Sequence, residues 1–370
     1  MPLQRTGQDR RKPRARASSG NPTLTDVAAR AGVSLATASR VLNDSARRVG
    51  QDHRERVLRA ARELNYRTDL SAQAMARGTA PVLALLVSTI DDPYFSAIAE
   101  GVAASAHDHG VIVTIAITAR DSARELTSVR TIRGQRPRAI LVCGSRIEGN
   151  PHTGELLAEL RQFTEAGGRA LFLSQPVGGV GAVRPDNATG ARELGAAVAD
   201  RGYRRAAVVT GAASLATVAE RTEGLRRGLA SRGGEITVVA SDTFDRAGGY
   251  RATRRLVESG RIADVDVLCA GNDFMAVGAM TALRDGGIDP GRDIAVTGFN
   301  DIATAADVTP QLTTVHFPLA EIGRRAADLA LDATAPHTGD ICVPGQVLLR
   351  ASCPPAAGTR PPGGAAGRRP

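Results

Sequence analysis

Apolar positions near the start of the chain recur with the spacing of short helices. Leu24, Val27, Ala28 and Ala31 share one face, which predicts a helix over about residues 25–31. Thr23 and Asp26 have the spacing of a capping box at its start. Gly32 ends the helix where a left-handed residue is wanted, and Val33 anchors the turn. Ser34 is placed to cap a second helix, with Ala38, Val41 and Leu42 facing inward and Leu35, Ala36 and Thr37 on its exposed start. A third helix, about 51–65, is expected to close the core with Val57, Leu58, Ala61 and Leu64. This is the shape of a helix-turn-helix, whose second helix enters the DNA major groove by its N-terminal end.

From Pro81 the pattern changes to short β-branched runs alternating with helical segments. Strands are expected at 83–87, 111–117, 139–144 and 170–174, with helices near 94–109, 123–133 and 155–166 between them. A second set follows Val183. It has strands at 206–211, 237–241, 267–271 and 294–299, and helices near 189–201, 220–232, 249–259 and 274–285. The alternation predicts an α/β core of two parallel-sheet subdomains in tandem, behind an all-α head.

Charge separates head from core. Residues 1–77 hold 16 Lys and Arg against 7 Asp and Glu, while the remaining residues balance at 31 against 31. The whole net charge of +9 therefore sits in the first fifth of the chain, the footprint expected of phosphate binding. Of the 47 basic residues only Lys12 is lysine, which reads as compositional bias. Cys143, Cys269, Cys342 and Cys353 are far apart and form no metal-ligand pattern, so they are expected to be reduced, buried small hydrophobes. No apolar run reaches a membrane-spanning length, and the N-terminal residues lack a signal-peptide core, so a cytoplasmic protein without membrane partners is expected. Residues 1–20 read as a disordered basic arm and 354–370 as a disordered tail without leucine heptads.

Catalytic motifs are missing. There is no GxSxG, P-loop or HExxH, and Gly178-Gly179-Val180-Gly181 lacks the third glycine of a dinucleotide fingerprint. His107 and His109, two apart at a helix end, cannot share a face as ligands. The expectation is no catalysis, no cofactor and no metal. Ligand binding fares better, because such cores hold ligands beyond the carboxyl ends of their strands. Tyr94, Phe95, Asp186, Asn187, Arg221, Phe244, Asn272, Asp273 and Asn300 fall at such ends and form the candidate pocket. Aromatic rings there stack on a ligand ring, while an arginine fork and amide or carboxyl groups bind hydroxyls or a carboxylate.

The order VAxxAGVSxxTxSRVLN, then ELNY, then the alanine-rich 70–77, then the tandem core resembles the LacI/GalR family of bacterial transcription regulators over about residues 23–353. The resemblance implies a homodimeric repressor that binds a pseudo-palindromic operator and is switched by a small molecule, most simply a sugar. It also implies that residues 70–77 are a hinge helix whose apolar wedge enters the minor groove. Met75 stands where leucine is usual, and Ala72 would let paired helices approach closely. In the head, Leu35, Ala36 and Thr37 are expected at base edges, and Arg40 at a guanine. Asn43 and Tyr66 are expected at phosphates, and Thr23, Ser34 and Ser39 complete the DNA-binding set. Asn300 departs from the family, where an acidic residue is usual, and Leu319 stands where an aromatic sometimes lines the pocket.

The expected division is a head at 21–67, a hinge at 68–80 and a core at 81–353. Within the core, one subdomain takes 81–183 and 318–340, and the other takes 184–317 and 341–353. Two rival readings share the core. A solute-binding protein would need a signal peptide and no basic head, and a sugar-modifying enzyme would need a general acid/base pair in the cleft.

Overall fold

The computed structural model describes residues 22–42, 49–67, 78–332, 334 and 339–356. The chain forms two compact units, Met1–Ala76 and Arg77–Pro370. The expected basic arm, the hinge segment with Ala72 and Met75, Asn43, and the tail beyond residue 356 lie outside the described residues.

In the first unit, helices span Leu24–Ala31, Leu35–Leu42 and Gln51–Glu63. The capping box is formed in both directions. The Asp26 N–H donates to Thr23 Oγ1 at 3.3 Å, and the Thr23 N–H donates to Asp26 Oδ2 at 2.8 Å. Gly32 takes φ 64°, the left-handed turn that lets Val33 N–H reach back to the Ala28 carbonyl at 3.1 Å. Ser34 Oγ accepts the Thr37 N–H at 3.1 Å and so starts the second helix. The buried core is mostly alanine: Ala28, Ala31, Ala38, Ala60 and Ala61 around Val27, Val41 and Val57. The third helix differs from expectation in one position. Val57, Ala60, Ala61 and Leu64 form its inward stripe at helical spacing, and Leu58, one step off that stripe, is exposed.

The second unit contains two parallel sheets. The first runs in the order Asp340–Val343, Gly181–Pro185, Arg169–Leu173, Pro137–Cys143, Ala80–Val87, Ile112–Ile117. The second runs Glu235–Ser241, Arg205–Thr210, Val267–Ala270, Ala295–Thr297, and an antiparallel pair joins Thr314–His316 to Gln346–Leu348. Two strands of the first sheet lie outside the alternation read from sequence. Gly181–Pro185 follows a glycine-rich turn, and Asp340–Val343 has only three apolar residues. The latter pairs with Gly181–Pro185, so the first sheet takes the chain to residue 343 rather than 340.

The helices Asn187–Asp200 and Ala216–Ala230 pack against each other through Gly224 and Gly228, where any Cβ would meet the backbone of Ala188 or Arg192. That close approach brings Arg221 of one helix to Asn187 of the other. The second helix begins four residues before the expected 220, which places Arg221 in its second turn. Among the described residues no helix is long and apolar enough to cross a membrane. Cys143, Cys269 and Cys353 are buried thiols pushed up to about 12, 11 and 12 by burial, whereas Cys342, expected inside, is exposed on the outer strand of the first sheet.

Candidate functional site

On the head, the second helix presents several side chains to solvent. Leu35 is 50% exposed, Ala36 and Arg40 are exposed, and Thr37 and Ser39 are half-buried. Thr37 Oγ1 and Ser34 Oγ lie 2.8 Å apart, so both hydroxyls are engaged in the cap. Thr23 is likewise occupied by Asp26. Tyr66 packs against the head core. Leu35 is not among the side chains packed on the head core, so it is available to a partner.

In the second unit, a cleft with about 860 Å³ of atom-free space, part of it open to solvent, lies at the carboxyl ends of both sheets. Tyr94, Phe95, Asn187, Arg221, Phe244, Asn272 and Asn300 line it. Asp92 caps the helix Pro93–Asp108, accepting the Tyr94 N–H at 3.0 Å, and so aims Tyr94 and Phe95. Their rings meet edge to face at 5.1 Å. Burial pushes the Tyr94 hydroxyl far above its ordinary range, so it stays neutral. Asn272 caps the helix Asp273–Asp285 with its Oδ1, leaving its amide nitrogen for the cleft.

Arg221 is the centre. Its Nε donates to Asn187 Oδ1 at 2.9 Å, Nη1 to the Gly271 carbonyl at 2.7 Å and Nη2 to Asn300 Oδ1 at 2.9 Å. Its guanidinium lies 4.0 Å from the centre of the Phe299 ring. Burial pushes it down to about 10, so it remains charged at neutral pH. Asn300 holds φ 115° and Asp301 φ 58°, a strained pair anchored by the Asn300 N–H on the Val315 carbonyl at 2.9 Å.

Two expected pocket residues are not part of the lining. Asp186 caps the helix Asn187–Asp200, accepting the Thr189 N–H at 3.1 Å, so its carboxylate is spent on the backbone. Asp273 is fully buried away from the cleft, accepting from Thr314 Oγ1 at 2.6 Å and the Ile302 N–H at 2.9 Å. Leu319 is also buried away from the cleft. Burial pushes the Asp273 carboxyl up to about 6. The folded state then holds this proton more tightly than the unfolded chain, so this group's contribution lowers stability as pH rises from about 4 to 6, and the penalty is complete above that range. Asp273→Asn is expected to remove this fall, a difference on the order of a few kcal/mol between pH 4 and pH 7. Thermal unfolding of both proteins across that range checks it, and parallel curves would refute it.

Several lining residues escaped the sequence reading, among them Asp92, Thr118, Arg120, Arg146, Ser174 and Gln175. Each lies within a few residues of a strand's carboxyl end in the first sheet, so the rule used for the second sheet would have found them. They also tie the lobes together. The Glu148 N–H donates to the Ser214 carbonyl at 2.8 Å and the Ala216 N–H to the Arg146 carbonyl at 2.9 Å. Gln175 Nε2 reaches Glu220 at 2.9 Å, and Arg120 reaches the Phe244 carbonyl at 2.9 Å. Polar groups from both lobes thus surround one space flanked by aromatic rings, which suits a hydroxylated small molecule.

Comparison with known proteins gives concordant matches. The profile described as bacterial regulatory proteins, lacI family, matches residues 23–69. That described as periplasmic binding proteins and sugar binding domain of LacI family matches residues 80–349. The HTH-type transcriptional regulator GalS of Salmonella typhimurium is 32% identical over 317 residues, covering 85% of this chain and 90% of that protein. The structure of a transcriptional regulator CelR–cellobiose complex is 28% identical with a TM-score of 0.65, covering 90% of this chain and 99% of that one. The lac repressor dimer bound to operator and the anti-inducer ONPF shares the fold with a TM-score of 0.78 at 23% identity, covering 90% of this chain and 100% of that one.

Proposed function

The chain belongs to the LacI family of bacterial regulatory proteins, and we propose that it represses transcription in the cytoplasm as a homodimer whose grip on a pseudo-palindromic operator is set by a small hydroxylated effector in the core cleft. As a helix-turn-helix transcription regulator it is not an enzyme. The observation that carries the reading is the exposed Leu35–Ala36 start of the second helix with Arg40 one turn on, a reading surface the head's own core does not need. Leu35 and Ala36 contact thymine methyls, Thr37 and Arg40 meet base edges, and Thr23, Ser34, Ser39, Asn43 and Tyr66 lie along the backbone. Ala72 and Met75 serve the minor groove.

In the cleft, Tyr94, Phe95 and Phe244 supply rings. Arg221, Asn187, Asn272 and Asn300 supply hydrogen bonds. The similar CelR structure is a complex with cellobiose, and a hydroxylated ring suits the lining here as well. A ligand gripping both lobes alters their closure, and closure reaches the operator through the paired heads. Whatever the effector does to operator affinity, the operator does equally to effector affinity.

Dimerisation is supported by the outer strands of both sheets. Ile112, Ile115 and Ile117 are 60%, 46% and 44% exposed on one edge, and Val239 is 48% exposed on the other. Such rows of β-branched residues on unpaired edges call for a cover. Selection from a random duplex library is expected to return an inverted repeat. Ile115→Asp should convert the dimer to monomer in sedimentation and weaken binding to that repeat by about a hundredfold or more, the avidity of two heads. A selected single half-site, or a variant that stays dimeric, would count against the reading.

A further inference from the structure

Two of the arginines that line the cleft, Arg221 and Arg120, have no direct ion-pair partner among the described residues. Arg146 is paired bidentately with Glu125 at 2.8 and 3.0 Å, and Arg184 with Asp340 at 2.9 and 2.7 Å, so those two guanidiniums are spent within the protein. Arg221 is not. It is 7% exposed, and all three of its hydrogen-bond partners are neutral: two amide oxygens and a carbonyl. One hydrogen on each Nη is left without an acceptor among the described residues. Arg120 also meets a carbonyl, that of Phe244, and no carboxylate of the described residues forms an ion pair with either arginine. Of the lining carboxylates, Glu125 is taken by Arg146, while Asp121 and Asp92 each cap a helix N-terminus, and burial pushes the Asp92 carboxyl above the usual carboxylate range. A further polar group waits in the same wall: Ser174, 6% exposed, has an Oγ with no partner.

Asp273, Glu220 and Asp92 act on the Arg221 guanidinium only at a distance, Glu220 through Asn187, so an anion placed directly against it in the cleft would offset more of the cost of its burial. A hydroxyl cannot do this, because it brings no net charge. We propose that the effector is an anion, a hydroxylated molecule whose carboxylate or phosphate offsets Arg221 and Arg120 and takes the free Ser174 hydroxyl, and not a neutral sugar. This deepens the effector role given to the cleft above and depends on it.

The two can be tested apart. The full chain is titrated by calorimetry, with operator release measured in parallel on the selected duplex, against matched probes: glucose with gluconate, glucuronate and glucose 6-phosphate, and galactose with galacturonate and galactose 1-phosphate. At least one anionic probe is expected to bind ten times or more tightly than its neutral partner, and the carboxylate and phosphate arms identify which oxyanion is used. Asn300→Asp, which is isosteric and sets a carboxylate against Nη2 of Arg221, should remove at least tenfold of that preference. Arg120→Gln should reduce it without touching the Arg221 network, and melting curves of both variants confirm folding. Neutral sugars binding as tightly as the acids and releasing the operator would overturn the anionic assignment while leaving the effector role of the cleft. An undiminished preference in folded Asn300→Asp would also overturn it. No binding of any probe would overturn both.

Discussion

Arg221→Ala is expected to abolish the effector response, with effector affinity falling a hundredfold or more. Hydrogen bonds to a charged group contribute about 1.5–3 kcal/mol each, and a ligand held by one or two of them loses that much when the fork is removed. The loss extends beyond the deleted contact, because Asn187 Oδ1 and Asn300 Oδ1 both accept from this guanidinium and would be left buried without donors. Arg221→Lys makes a sharper comparison. It keeps the charge but gathers its donors on one nitrogen, which cannot span the three acceptors that the planar guanidinium fork meets with Nε, Nη1 and Nη2, so it should recover little of the affinity. Calorimetric titration with the effector and melting curves on the same samples separate lost binding from lost folding. A folded Arg221→Ala protein that still responds would remove Arg221 from the site.

Arg40→Ala is expected to lower affinity for the selected operator by about 10- to 150-fold, the equivalent of 1–3 kcal/mol for a bidentate base contact. Affinity for unrelated DNA and its salt dependence should change little. Arg40 is exposed on the second helix and lies outside the head core formed by the described residues, so the fold should survive. Anisotropy titrations on cognate and scrambled duplexes at several salt concentrations decide the matter. An equal loss on both duplexes, with a salt slope smaller by about one, would make Arg40 a phosphate contact instead.

Much of this was legible in the chain because the signals were local. Thr23, Asp26, Gly32 and Ser34 act within four residues of themselves, and caps and turns of that kind can be read directly. The alternation of strand and helix through 80–300 was equally plain, Gly181–Pro185 excepted. What escaped was decided by distant partners. Leu58 looked like core by composition, yet helical phase put Ala60 inward instead. Asp340–Val343 is a strand because Gly181–Pro185 lies alongside it, which nothing in its own few residues announces. Asp186 and Asp273 sit at strand ends as pocket residues do. The first, however, caps its helix, and the second is turned inward by Thr314, a residue 41 positions away in sequence. Arg221 was identifiable as a polar group near the cleft, but its want of a direct ion-pair partner became visible only when its three hydrogen-bond partners were known.

The left-handed backbone at Asn300 has an evolutionary consequence. At φ 115° a β-branched or bulky side chain is excluded, and the residues that sit there at tolerable cost are glycine, asparagine and aspartate. Position 300 therefore has an alphabet of about three letters, and they differ in the one property that matters beside Arg221. Aspartate satisfies the cation internally, asparagine leaves the charge to be met from outside, and glycine opens space. A descendant of this protein could thus exchange one class of inducing molecule for another by a single substitution at a site whose backbone permits few others.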